Sequence, residues 1–516
     1  MDVLFSGGKL GEMFTSLAFA SALVAMMSFV FAEKASGEEK SSWERLGLGG
    51  FGLHIFSILG IISTIFYLIY TRQYQYHYVW DHASNELPVH YIISCFWEGQ
   101  EGSFLLWCFW HAVLGGVIMF NKSEWRNLVL AVLSSIELIL SSMILGIYVG
   151  DSWVSGIYLA LGLIPFIYFV YQFAKKGDSL PMNGNFHLAS LLIAASSVLL
   201  VVKSQGGFYS DWSLSQAFSS PSAMIFGLFI LAVVGYSMFY FYYLLDAGKR
   251  PTYPVADLIA GFSIIILATV GLAFEAGMWK LGSSPFVLLK TVFANNPIYE
   301  TQPDFVPSNG SGLNPLLQNY WMVIHPPTLF LGFAATAIPF AFVVAGLIKG
   351  KYSEWIKPAM PWVTFSVMIL GIGLIMGGYW AYETLNFGGY WNWDPVENSS
   401  FVPWLCGVAS LHAMLIYQKS KAYLRLTLIM IASTFLLVLY STFLTRSGIL
   451  GETSVHTFTD LGLSGQLLVL VFLYFIGLII LMALRWRHIP QREDESKVWS
   501  AEFMLFLGVL TFIFAS

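Results

Sequence analysis

Residues 322–347 read Met-Val-Ile-His-Pro-Pro-Thr-Leu-Phe-Leu-Gly-Phe-Ala-Ala-Thr-Ala-Ile-Pro-Phe-Ala-Phe-Val-Val-Ala-Gly-Leu. The run has no Lys, Arg, Asp or Glu. As a helix it is roughly 39 Å long at 1.5 Å per residue, which exceeds the ~30 Å hydrocarbon core of a bilayer. Apolar runs of similar length recur along the chain, at 12–32, 48–70, 101–120, 127–149, 156–173, 186–203, 222–245, 256–278, 360–380, 401–418, 423–444 and 464–484. Another starts near 500 and continues to the end. The expected fold is therefore all-α, a polytopic transmembrane bundle of about 14 spans whose last span is incomplete. The first run is too long for a signal peptide and has no convincing small-residue cleavage site after it.

Composition agrees. Of 516 residues 57% are hydrophobic and 11% charged, where a soluble domain carries about 25% charged residues. A soluble enzyme, a disordered protein and a nucleic-acid binder are excluded. The net charge of −5 says little about partners. Cys95, Cys108 and Cys406 show no CxxC spacing, so neither a disulfide framework nor a thiol-redox motif is supported. Aromatic residues reach 17%, which points to something large, flat and apolar as a ligand.

Lys and Arg set the orientation. The loops after odd-numbered spans hold 19 of them and the opposite loops hold 6. By the positive-inside rule the N-terminus and the loops near 71–100, 279–321, 381–400 and 445–463 face outward. These outer loops carry the Trp, His, Pro and Gly clusters, so any chemistry belongs there. No repeat or linker divides the chain, and 1–516 reads as one membrane domain.

Residues 378–405 hold four Trp, no Lys or Arg, and the acids Glu383, Asp394 and Glu397. An interfacial aromatic belt scatters its Trp over many helix ends. Here Trp391, Trp393 and Trp404 crowd together among Gly and Asp-Pro turns, which favours a platform for a flat ligand. His325, in Ile-His-Pro-Pro, and His456 lie in outer loops flanking this stretch. Two imidazoles around an aromatic platform suit axial ligation of haem iron; the alternative is two ordinary loop histidines. His412 is about eleven residues into its span, roughly 16 Å deep. An ionisable group there is expensive. It could ligate a buried haem, relay protons or bond a neighbouring helix. Glu137 and Glu275 also lie near or within spans, without a Lys partner. His54 is placed near the inner outset of the second span and His111 mid-span in the third. His77, His82 and His90 lack zinc-site spacing, and their loop reads as solvated. Gly99-Gln-Glu-Gly-Ser103 reads as a helix cap, through Ser103 or the backbone.

The motifs taken together resemble a known family. Gly388–Leu405 looks like the tryptophan-rich WWD signature of cytochrome c assembly proteins. Glu101–Trp107, Leu313–Gln318, His325-Pro-Pro327, Pro403-Trp-Leu with His412 beyond it, Thr445-Arg-Ser-Gly448 and Ser454-Val-His456 follow in the order found in the CcmF haem lyase family of cytochrome c-type biogenesis. The resemblance covers about 75–120 and 282–516. It implies a bacterial inner-membrane protein with its functional loops on the periplasmic side. It implies that His325 and His456 ligate substrate haem (haem b) at the outer face, held by Trp391, Trp393, Asp394 and Trp404. It implies that His412 is one axial ligand of a second haem b within the membrane. The expected activity is a cytochrome c haem lyase acting as a subunit of a complex, joining haem to Cys-x-x-Cys-His apocytochrome c by thioether bonds. The expected partners are a haem chaperone, apocytochrome c and a thiol-handling maturation subunit, with no nucleic acid. The alternative is a haem-binding scaffold or transporter that presents or exports haem without ligating it. No catalytic residue is resolved.

Three departures qualify the resemblance. Gln100 stands where many relatives have His. Residues 150–280 read as an insertion of about four spans. The family's second intramembrane histidine lies beyond the last helix, so the chain alone is expected to show little stable low-spin haem.

Overall fold

The computed structural model describes residues 7–150, 278–454 and 461–491, with positions 503, 504, 507, 508 and 511 beyond them. The spans expected within 156–277, and most of the one from 500, lie outside the described residues. The described helices are α1 (Gly7–Lys34), α2 (Gly37–Tyr70), α3 (His77–His82), α4 (Ile92–Glu98), α5 (Gln100–Phe120), α6 (Arg126–Ser142), α7 (Leu289–Val292), α8 (Pro297–Thr301), α9 (Tyr320–Lys349), α10 (Ile356–Thr384), α11 (Pro395–Ser420), α12 (Leu424–Arg446) and α13 (Ser464–Arg485). Eight of them, α1, α2, α5, α9–α12 and α13 extended to His488, are long and apolar enough to cross a membrane.

Two short strands, β1 (Ile147–Gly150) and β2 (Met278–Leu281), pair with each other. The fourth and eighth spans were expected to run through 149 and 278. Instead α6 ends at Ser142, and Gly146 turns the chain with φ +62°. A short apolar run such as Ile-Tyr-Val suits a strand as well as a helix, so periodicity alone misplaced it.

The chain divides into two compact units. One is Met1–Gly146 with Leu281–Leu463 and Arg485–Ser516; the other is Ile147–Lys280 with Ser464–Leu484. In the second unit the described elements are the strand pair and the apolar helix α13. In the first unit α1 and α2 form a hairpin, joined by the two residues Ala35 and Ser36. α1 lays Ala18, Ser21, Ala22, Ala25 and Ser28 inward. Small side chains let membrane helices approach closely, which dispersion then rewards.

Among the described spans α9 is the most enclosed, packed by α5, α6, α10 and α12. It starts five residues before His325, so Pro326 and Pro327 occupy its second turn. Each removes an N–H and leaves a carbonyl one turn back without its helical donor. Neighbouring helices make that tolerable in a membrane. Gly332 of α9 and Gly373 of α10 sit where an added Cβ would lie 2.8 Å from Leu370 Cα and 2.9 Å from Leu329 Cα. The two backbones are therefore in near contact.

The loops read as outer fold on one another. Tyr76 bridges Leu288, His77 N–H donates to Val287 O, and Ser311 N–H donates to Trp80 O. Asn309 joins Asn85 and Glu86. The 71–100 loop is thus folded rather than solvated: His77 packs between Trp80 and Phe293, and His82 bonds to Tyr78 O. Their rings are half-buried, whereas His90 is exposed. Gly99 caps α5 with its backbone, while Ser103 Oγ donates to Gln100 O inside the helix. Cys95, Cys108 and Cys406 are all free and buried.

Glu98, at the end of α4, accepts the N–H of Asn314 on Oε1, while Oε2 is buried with no partner among the described residues. Burial pushes its carboxyl up to about 7, partly opposed by His82. The folded form therefore holds a proton that the unfolded form has released between pH 4.5 and about 7. The stability this proton gives is present below that window and lost as pH rises through it. Melting temperature measured from pH 4 to 8 should fall across the window. Glu98→Gln should flatten the fall and raise stability at pH 8, by on the order of 1–2 kcal/mol.

Candidate functional site

α10 carries Gly371, Gly373, Gly377 and Gly378, and the candidate residues gather along it. His325 of α9 rests on Gly377, where an added Cβ would lie 2.7 Å from its Cε1. Its Nδ1 is 2.8 Å from Gly373 O. A carbonyl only accepts, so Nδ1 carries the hydrogen and the lone pair of the neutral ring is on Nε2. Trp404 of α11 lies over Gly371, and its Nε1–H donates to Val367 O at 3.1 Å. Phe401 stacks on Trp404, and Trp391 meets Phe401 edge-on at 5.5 Å.

One turn before His325, Trp321 stacks on Tyr379 of α10 at 4.8 Å and donates its Nε1–H to Glu383. Tyr379 meets Tyr390 edge-on, and Tyr390 lies flat on Tyr382 at 4.5 Å. Aromatic rings thus run from the start of α9 into the Trp-rich stretch. That stretch is mostly helix. α10 continues to Thr384 and α11 begins at Pro395, leaving 385–394 between them.

The turn is tightly held. Asp394 caps α11 by accepting Val396 N–H at 2.8 Å, Pro395 occupies the first helical position, and Glu397 reaches back to the backbone of Asp394 and Asn392. This is a capping box, which satisfies donors that a helix start leaves open. Trp393 is forced to φ +56°, the left-handed region, and Asn398 donates to its carbonyl. A non-glycine residue there costs roughly 1–2 kcal/mol. The residue is 70% exposed. Backbone strain of this kind clusters at ligand clamps and switch regions, which makes Trp393 a candidate.

Ser454 Oγ donates to Asp394 at 2.6 Å, tying the loop that leads to His456 onto this turn. His456 itself lies outside the described residues. Arg446, at the end of α12, puts its guanidinium over Phe104 and Phe330, and Gln100 donates to its carbonyl. Trp380 donates to Leu316 O, and Asn314 bonds Glu98. Motifs scattered over more than 300 residues of sequence are therefore neighbours in this unit.

His412 is exposed on α11, away from this cluster of rings in the helix, with Nδ1 2.8 Å from Val408 O. By the same count its lone pair is on Nε2. His54 is not near the outset of its span: it lies 17 residues into α2 and is fully buried. With His111 it binds Glu137, at 2.6 and 2.8 Å. Sequence reasoning missed this trio because it sought a Lys partner for Glu137. Three ionisable residues at matching depth in adjacent apolar runs were the available signal. Glu275 lies outside the described residues.

A family model described as "Cytochrome C assembly protein" matches residues 180–450. Among curated proteins, the chain is 38% identical over 235 residues to the cytochrome c-type biogenesis protein CcmF of Haemophilus influenzae, covering 45% of this chain and 35% of that one. It is 36% identical over 232 residues to CcmF of Escherichia coli, covering 44% and 34%. It is 42% identical over 200 residues to the biogenesis protein CycK of Rhizobium meliloti, covering 39% and 29%. The matched parts are about a third of the length of those relatives. A solved structure titled "Cytochrome c Heme Lyase CcmF" has the same fold, with a TM-score of 0.55 at 19% identity, covering 99% of this chain and 55% of that one. With more than half of its length matched by the family model, the chain belongs to the cytochrome c assembly protein family.

Proposed function

We propose that the chain is a membrane haem lyase component. It holds substrate haem at the face of the outer loops and joins it to the thiols of a Cys-x-x-Cys-His segment of apocytochrome c. The observation that carries this reading is the fixed ring of His325. Its Nδ1–H is held by Gly373 O, which turns Nε2 into the ligating atom, and the aromatic residues 391, 393 and 404 share the α10–α11 neighbourhood. A backbone carbonyl orienting the other nitrogen is the usual support of an iron-bound imidazole.

In the reaction a thiol adds across a vinyl group. The S–C bond forms at one vinyl carbon, the thiol hydrogen ends on the other, and nothing is oxidised or reduced. The protein's work is positioning. Trp391, Trp404 and the exposed Trp393 hold the porphyrin plane, His325 and His456 hold the iron, and the vinyl edge is left open to the client. Bringing the two groups together supplies much of the rate. A haem chaperone, the apocytochrome and a thiol-handling subunit are the partners this chemistry calls for.

His412 would be a residue to hold a resident haem b, since it is exposed on its helix and its Nδ1 is bound to Val408 O. Such a haem supplies one-electron transfer when bound. His54 is not its second ligand, because Ala18 O and Glu137 engage both of its ring nitrogens.

The visible spectrum and haem stoichiometry of the purified chain loaded with haem test the reading. Haem should bind with an imidazole-type spectrum that His325→Ala changes. Trp393→Gly separates strain from function. It relieves the left-handed backbone and stabilises the turn by about 1–2 kcal/mol, yet haem should dissociate about three- to tenfold faster, as expected for loss of an aromatic contact. Unchanged haem retention in Trp393→Gly would favour an interfacial belt.

A further inference from the structure

The proposed haem chemistry uses none of His54, Glu137 and His111, which come from α2, α6 and α5 and are 0% exposed. His54 Nδ1 lies 2.9 Å from Ala18 O of α1. The carbonyl can only accept, so Nδ1 carries a hydrogen. Nε2 of the same ring lies 2.6 Å from Glu137 Oε2. A bare Nε2 and an ionised carboxylate would present two lone pairs to each other. One proton therefore sits between them, as imidazolium and carboxylate or as imidazole and carboxylic acid. Glu137 Oε1 accepts from His111 Nδ1 at 2.8 Å. The remaining lone pair of His111 is on Nε2, which is buried with no hydrogen-bond partner among the described residues.

With the shared proton the trio is neutral. Without it a carboxylate is left uncompensated in the bundle interior, which is costly. The other groups facing the trio are few. α5 adds the Cys108 thiol beside Glu137, α1 adds the Ala18 carbonyl, and α9 presents Phe330 and Phe333 to the neighbouring Trp107. The Glu44–Arg126 ion pair joins α2 and α6 about three turns from Glu137. Trp107 Nε1 and Ser134 Oγ, one turn from His111 and Glu137, are also buried without partners among the described residues. Bound water commonly satisfies such atoms.

We propose that His54, Glu137 and His111 form a one-proton store inside the membrane, loaded and unloaded through Nε2 of His111. A proton arriving at Nε2 makes His111 an imidazolium beside the carboxylate, and its Nδ1 hydrogen passes to Glu137 Oε1. A turn of the carboxyl group shares that proton with Nε2 of His54, and a turn of the His111 ring brings the hydrogen left on Nε2 back to Glu137, so that a nitrogen without hydrogen again faces outward. The path stops there, because Nδ1 of His54 faces a carbonyl that takes no proton. The store therefore has a single mouth and exchanges its proton without passing it through.

Infrared spectroscopy of the full chain in lipid nanodiscs, transferred from H2O to D2O, tests this. The wild type should show an exchangeable proton signal from the Glu137–His54 pair, and Glu137→Gln should remove it. His111→Phe should keep the signal and slow its exchange at least tenfold. Equal exchange rates in wild type and His111→Phe overturn the proposal, as does a wild type with no exchangeable signal from Glu137. If His111→Phe does not fold, nitrogen NMR of labelled histidines in the wild type decides. One ring nitrogen of His111 without hydrogen supports the store, and a His111 with hydrogen on both nitrogens overturns it.

Discussion

Cells that depend on this chain should lose nearly all holocytochrome c when His325 is replaced by Ala, while the protein still accumulates in the membrane. The expectation rests on the ring's environment. His325 is half-buried, seated on Gly377, and turned by Gly373 O so that Nε2 carries the lone pair. Alanine removes the proposed ligating atom and only part of the packing, so the helix should survive. Haem staining of membrane proteins measures the outcome, and an immunoblot of this chain controls for abundance. Ordinary holocytochrome levels with normal abundance would leave His325 as a packing residue of the α9–α10 contact.

Gly377→Leu should imitate that loss without touching the histidine. An added Cβ at 377 would lie 2.7 Å from His325 Cε1, and a leucine adds three more carbons. The ring must leave Gly373 O, and its Nε2 loses its fixed direction. Haem affinity should fall by about 10–100-fold, the range typical when the support of a metal-binding imidazole is removed. Gly378→Ala is the control, because an added Cβ there meets Tyr390 O at 3.0 Å rather than His325. Haem titration of the two purified variants separates them: equal affinities would mean that the ring has room to move and its seat is not specific.

The bundle was legible in the sequence because hydrocarbon thickness sets a length that charge-free runs either meet or do not. The runs at 322–347, 360–380, 401–418 and 423–444 all correspond to helices, each longer than its apolar stretch. The ends were less legible. Hydropathy fades over polar termini such as Asp394–Ser400, where a capping box rather than apolarity starts α11. Met143–Gly150 left the helix although it stayed apolar. In the candidate site, residue types and order pointed to His325 and the Trp-rich stretch, while the glycines beneath them carried no visible message. Packing between helices distant in sequence gives Gly377 its meaning, and no single run displays that. His54 and Glu137 were individually visible but were 83 residues apart, and only the fold made them a pair.

The atom that fixes the tautomer of His325 is a main-chain oxygen, Gly373 O. No side-chain replacement can delete it. Alanine scanning of polar residues around the ring would therefore be silent on the interaction that aims it. The vulnerability lies instead at positions with nothing to truncate, where adding atoms does the damage. Substitutions of α10 should thus show an inverted profile: large polar-to-alanine changes are tolerated along its exposed face, and the smallest residues are the least replaceable.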